Sequence, residues 1–108
     1  MYFVYVLRCV DSSLYCGYTV DVARRVASHL GKAPGGAKYT KSHVPTHIAC
    51  VWSCEDKRDA CRLEYRFKRL PKEIKEALVS GGESFEGAFS GVLDPSVFER
   101  RRELEGAL

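Results

Sequence analysis

The spacing of apolar positions changes character along the chain, and each change predicts an element. Residues 2–10 (YFVYVLRCV) are β-branched and aromatic, with Arg8 the only charge, and predict a strand. Asp11, Ser12 and Ser13 supply turn chemistry, and residues 14–19 (LYCGYT) predict the returning strand. Strand side chains alternate between faces, so Tyr5, Leu7 and Cys9 share one. A turn pairing Cys9 with Tyr15 sets Leu7 opposite Gly17. Tyr5, Tyr15 and Gly17 then line one face, two phenols flanking a position with no side chain.

From residue 22 the period lengthens. Val22, Val26 and Leu30 fall at i, i+4, i+8 and predict a helix capped by Thr19 or Asp21. Arg25 and His29 share the same spacing one row over, along the edge of that stripe. Gly31, Pro34, Gly35 and Gly36 stop the helix, and a loop is predicted through residue 44. Residues 46–53 (THIACVWS) read as a third strand with Ile48, Cys50 and Trp52 on one face. Glu55 and Asp56 cap a long helix over residues 56–69, whose Ala60, Leu63, Phe67 and Leu70 lie at i, i+3, i+7, i+10. Pro71 opens a short helix to about residue 79, and residues 80–84 (SGGES) read as a linker. The tail carries Phe85, Phe89, Val92, Leu93, Val97 and Phe98, with a helix predicted over residues 95–104 behind Asp94. The order β-β-α-β-α-α plus a short tail is an α+β chain, with a domain over residues 1–79 and an extension over 80–108.

A chain of 108 residues that is 45% hydrophobic and 29% charged fits one globular domain and excludes a disordered one. The net charge of +3 says less than its distribution. Residues 1–79 hold fourteen basic and eight acidic side chains, and residues 80–108 hold three and six. A basic domain with an acidic end suits a phosphate backbone. The five cysteines include no CxxC pair, and the apolar start is too short and too strand-like for a membrane span or signal segment. Reduced thiols, a cytoplasmic location and no membrane partner are expected. Zinc on Cys50, Cys54 and His47 is disfavoured by their strand-like alternation.

Several residues carry a bland and a functional reading together. Tyr5 and Tyr15 are sheet filler or paired phenols. Arg25 and His29 are a solvated arginine with a helix-end histidine, or a basic pair that gains weight beside two clustered tyrosines. The glycines before Ala37-Lys38-Tyr39-Thr40-Lys41 make a surface linker or a loop that approaches phosphates, although Walker A spacing is missing. Glu64 borders the apolar stripe of its helix, where a carboxylate needs a partner or a metal. Its bland alternative is an exposed pair with Lys68, worth only ~0.3–0.5 kcal/mol.

Taken in order, these residues resemble the GIY-YIG nuclease superfamily. Val4-Tyr5-Val6 stands at the first tripeptide and Tyr15-Cys16-Gly17 at the second. The resemblance continues through Thr19, Asp21, Arg24-Arg25, His29, Gly36-Ala37-Lys38-Tyr39-Thr40 and Glu64, covering residues 2 to about 79. It is nearest to the small stand-alone bacterial (YhbQ-like) members and to the catalytic domain of Slx-type structure-specific endonucleases. Valine replaces both glycine and isoleucine in the first tripeptide. With no asparagine or glutamine in the chain, the asparagine that assists some homing-type members has no counterpart. The tail has no cysteine or histidine, so it is not the zinc-binding domain of the Slx-type proteins.

The resemblance implies a small three-stranded antiparallel sheet flanked by helices. It implies a metal-dependent endonuclease that hydrolyses DNA phosphodiesters, structure-specific and serving DNA repair or recombination. It assigns Tyr5 as general base, Arg25 to charge stabilisation, Glu64 as ligand of Mg2+ (or Mn2+), and Tyr15 and His29 as site residues. Gly17, Arg24 and Tyr39 join Lys32, Lys38 and Lys41 as candidate nucleic-acid contacts. The alternative is a nucleic-acid-binding module that does not cut, for which the carboxylate has no use. The apolar tail is a candidate surface for a protein partner or self-association.

Overall fold

The central strand β1 (Tyr2–Cys9) is paired antiparallel on both sides, with β2 (Leu14–Thr19) and β3 (Pro45–Cys54). Val4, Tyr5, Val6 and Leu7 are all fully buried, which explains a run with almost no polar position. The structure is a computed structural model and describes residues 1–32 and 35–108.

The hairpin register differs from the expected one by two residues. Leu7 faces Tyr15 and Tyr5 faces Gly17. The turn is shorter than assumed: Cys9 N–H donates to the Ser13 carbonyl and Ser12 N–H to the Cys9 carbonyl, both at 2.9 Å, with Ser12 at φ 69°. Because the slip is even, every side chain keeps its face. A second correction falls in β3. Val6 pairs with Cys50 but Leu7 with Ile48, so Ala49 is an extra residue. Ile48 consequently packs with Leu7 and Tyr5, on the face opposite Cys50 and Trp52.

Two helices cover the two faces. On one, α1 (Val22–His29) packs Val22 and Val26 against Tyr5, Leu7 and Val51. Its cap is Asp21, which accepts from Arg24 N–H at 3.1 Å. On the other, α3 (Lys57–Lys68) packs Ala60, Leu63 and Phe67 against Val4, Val6, Cys16, Cys50 and Trp52. Asp56 caps it through Arg58 N–H at 2.8 Å. Full burial of Leu63 and Phe67 contributes about 1.5–3 kcal/mol each. Between α1 and β3, where a loop was expected throughout, residues Lys38–Ser42 form a short helix, α2. The helix α4 (Lys72–Ser80) is tied to β1 by a two-pronged pair, with Arg8 donating to both Glu76 oxygens at 2.6 Å.

The tail completes the sheet. Strand β4 (Glu99–Arg100) pairs with Ser53 and Trp52, and β5 (Gly106–Ala107) with Ile48 and His47, giving five strands in place of the expected three. The helix expected over 95–104 is two 3-10 turns, Pro95–Val97 and Arg102–Leu104, on either side of β4. Backbone groups on the outer edge of β3 are unpaired without the tail, and strand pairing satisfies them where a helix could not. Glu105 adds to this, accepting from Val51 N–H at 3.0 Å while bound by Arg100. Ahead of β4, the helix α5 (Phe85–Ala88) places Phe85 against Trp52, Phe89 and Phe98 at ring distances of 5.8, 4.8 and 5.3 Å. The tail phenylalanines therefore cover the chain's own domain. The five cysteines are free thiols, four of them buried. Among the described residues no helix is long and apolar enough to cross a membrane.

Candidate active site

At the middle of β1, the Tyr5 ring folds over the bare Cα of Gly17. A Cβ at Gly17 would stand 2.5 Å from the Tyr5 hydroxyl and 3.3 Å from the edge of the Tyr15 ring. Glycine is required here by close approach, and Gly17 is buried beneath the two phenols that flank it. The i, i+4 pair on α1 reaches the same point. Arg25 Nε–H donates to the Tyr5 hydroxyl at 3.3 Å, and His29 Nε2 shares a hydrogen bond with it at 2.7 Å. His29 Nδ1 in turn lies 2.9 Å from Thr40 Oγ1 on α2. Arg25 is held further by Ser28 Oγ at 3.3 Å and by the Gly35 carbonyl.

An aromatic stack covers this group. Tyr15 meets His29 edge-on at 5.1 Å, stacks on Tyr39 at 5.6 Å, and Tyr39 stacks on His43 at 4.0 Å. Asp11, in the β1–β2 turn, binds His43 at 2.5 Å and fastens the end of the stack to the hairpin. Two hydrogen bonds from Ser13, then His43, hold the Asp11 carboxyl low, at about 2.

Burial decides the protonation states. It raises the Tyr5 phenol far above its ordinary range, and the Arg25 hydrogen bond only partly offsets that. Burial, with Arg25 adding to it, lowers His29 to about 4. Near neutral pH the pair is a phenol and a neutral imidazole. Tyr5 acting alone as a base is disfavoured, because a phenolate there is desolvated.

The remaining candidates are distributed around this centre. Arg24 and Arg25 line an open cavity of about 380 Å³ with Thr19, Val20, Asp21 and Ser28. Lys41 lines a second, of about 490 Å³, floored by His29 and Thr40. Lys32, Lys38 and Tyr39 are exposed. Glu64 stands apart. It lies on α3, against the opposite face of the sheet, and pairs with Lys68 at 3.2 Å. Its charge is felt by Cys16, whose thiol burial and Glu64 together push up. The sheet itself, with β2 as its outermost strand on that side, lies between Glu64 and Tyr5.

Among the described residues no group of three or more His, Cys, Asp or Glu is placed to hold a metal ion. A lone carboxylate fits Mg2+ that takes its other ligands from water and substrate oxygens, not a protein cage. His43, which closes the stack, had no signal in the sequence, and Thr40, 2% exposed, was marked only as the last residue of the Gly36–Thr40 motif, with no role assigned. The pass of that stretch against α1 is marked only by Gly36, where a Cβ would stand 2.3 Å from the Ser28 carbonyl oxygen.

A hairpin that buries a tyrosine under a helix-borne arginine and histidine, with a glutamate on the next long helix, is the arrangement expected of a GIY-YIG nuclease domain. Residues 1–76 match the family described as the GIY-YIG catalytic domain, and the chain belongs to that family. It is similar to a UPF0213 protein of Halobacterium salinarum, 47% identical over 72% of this chain and 99% of that one. A UPF0213 protein of Halalkalibacterium halodurans is 45% identical over 73% of this chain and 82% of its own length. A solution NMR structure of a UPF0213 protein from Bacillus halodurans covers 83% of this chain and 95% of its own, at 40% identity and a TM-score of 0.49.

Proposed function

We propose that the protein is a metal-dependent endonuclease that hydrolyses phosphodiester bonds of DNA. The observation that carries this reading is the hydrogen-bonded group Arg25–Tyr5–His29 beneath the Tyr15–Tyr39 stack. Hydrolysis needs an activated water and neutralisation of charge building on the phosphoryl oxygens. Tyr5 and His29 act together as the proton acceptor, which avoids a buried phenolate. Arg25, whose Nε and Nη1 are taken by Tyr5, Ser28 and Gly35, presents its positive charge and its Nη2 to phosphate oxygens from the Arg24–Arg25 cavity. Bound at Glu64, Mg2+ would supply Lewis-acid stabilisation of the same charge. Tyr5 is fully covered, so cleavage requires that substrate binding bring its hydroxyl into contact with water.

That same cover, with Glu64 held by Lys68, favours a second reading, a nucleic-acid-binding module that does not cut. One experiment separates the two. Labelled single-stranded, duplex, flapped and branched DNA are incubated with the protein in Mg2+, Mn2+ or EDTA, beside Tyr5→Phe and Arg25→Lys. The nuclease reading expects metal-dependent cuts that fall by about 100-fold or more in both variants. DNA bound on every substrate and cut on none selects the module.

A further inference from the structure

We infer that Thr40 is a positioning residue that fixes the tautomer of His29, and through it the direction of the hydrogen bond between His29 and Tyr5. Thr40 is 2% exposed and its hydroxyl has two neighbours, the Ala37 carbonyl oxygen at 2.9 Å and His29 Nδ1 at 2.9 Å. A hydroxyl has one proton to give. The Ala37 carbonyl can only accept; the Thr40 N–H also reaches it, at a longer 3.2 Å, and the 2.9 Å hydroxyl contact is the stronger of the two, so that proton is assigned to Ala37 and Thr40 Oγ1 is left as an acceptor facing His29. Nδ1 must therefore carry the imidazole proton, and Nε2 is the bare nitrogen. Tyr5 then donates its O–H to Nε2 and keeps its lone pairs for the Arg25 Nε–H, so that every group in the chain is satisfied once.

One contact competes. The Ala37 backbone N–H lies 3.4 Å from the same Nδ1 and would favour the opposite tautomer. At that distance it is at the far limit of a hydrogen bond, and the 2.9 Å contact with Thr40 dominates. Without the hydroxyl the balance reverses. Ala37 N–H becomes the only polar neighbour of Nδ1, the proton moves to Nε2, and Nε2–H points at the Tyr5 oxygen. An imidazole in water already prefers that form.

The consequence for hydrolysis rests on the nuclease reading above. With Nε2 bare, a water proton passes to Tyr5 Oη as the Tyr5 proton passes to Nε2. The water becomes the attacking hydroxide, Tyr5 stays a neutral phenol, and His29 becomes an imidazolium. With Nε2 protonated, Tyr5 has no acceptor and the transfer stops. Histidine tautomers are recognised from their hydrogen-bond networks, and nitrogen NMR reads them directly.

The test uses 15N-labelled protein near neutral pH and long-range 1H–15N correlation of the His29 ring, for the wild type, Thr40→Ser and Thr40→Val. The expected result is a pyrrole-type Nδ1 and pyridine-type Nε2 in the wild type and in Thr40→Ser, and the reverse in Thr40→Val. A wild type with pyrrole-type Nε2 overturns the inference by itself, even if Thr40→Val fails to fold. A folded Thr40→Val that retains the wild-type pattern overturns it too. These signals do not depend on cleavage, so a protein that cuts nothing refutes the nuclease reading and leaves this inference to the spectrum. Where the protein does cut, Thr40→Val should lose on the order of 100-fold in rate and Thr40→Ser should restore most of it.

Discussion

Acidification probes the buried His29 in a way that no surface histidine can imitate. In the folded chain its pKa is about 4, lowered by burial and then by Arg25. In the unfolded chain it titrates near about 6.5. The folded value is the depressed one, so the unfolded state takes up the proton first and stability falls as pH falls. The loss begins near pH ~6.5, runs at about 1.4 kcal/mol per pH unit, and levels off below pH ~4. Across that window His29 alone removes roughly 3 kcal/mol, a large share of the ~5–15 kcal/mol that holds a domain folded. Carboxylates with lowered pKa, such as Glu76 paired with Arg8, add their own loss only below their unfolded range near pH ~4.5, so the interval above it belongs mainly to the imidazole. Urea unfolding followed by Trp52 fluorescence at steps between pH ~7 and ~4.5 measures the slope. His29→Gln removes the titration and retains an amide oxygen that can accept from Tyr5. It should be less stable near neutrality yet lose far less on acidification, and the difference between the two curves isolates the part that depends on His29. Parallel curves for wild type and His29→Gln would refute the reasoning, since His29 would then titrate alike in both states.

Gly17→Ala drives a methyl to 2.5 Å from the Tyr5 hydroxyl, so it should cost about 1–3 kcal/mol by denaturation and abolish any cleavage, and an unaffected protein would mean the ring has room to move. Glu64→Gln breaks only a half-exposed pair with Lys68 worth ~0.3–0.5 kcal/mol, so stability should hardly change while metal-dependent cutting is lost; full activity in the variant would remove Glu64 from the site. Deleting residues 85–108 strips Phe85 and Phe98 from Trp52 and two strands from the edge of β3. Aggregation or loss of cooperative unfolding is expected, and a monomeric, cooperatively folding truncation would show that the tail is dispensable.

Local chemistry wrote much of this structure into the sequence. The hairpin, the capped helix behind Asp21 and the long helix behind Asp56 follow from periodicity and capping, and the structure has all three. Alternation put Tyr5, Tyr15 and Gly17 on one face, and helical spacing put Arg25 and His29 on one row, because both are short-range geometry. The ordered motifs then named the family. What they could not supply was anything set by contacts between distant segments. The length of the turn around Ser12 moved the register by two, and the bulge at Ala49 turned Ile48 to the other face. The tail became strands because β3 had an edge to satisfy, a demand that exists only once the sheet is formed. The depth of Tyr5, the lowered pKa of His29 and the partnership of Thr40 come from residues 11 to 35 positions apart converging under one helix. Burial is a property of the assembled layers, so only the tertiary structure could turn Tyr5, Arg25 and His29 from plausible sheet and helix residues into one hydrogen-bonded group with the Tyr15 ring packed against it.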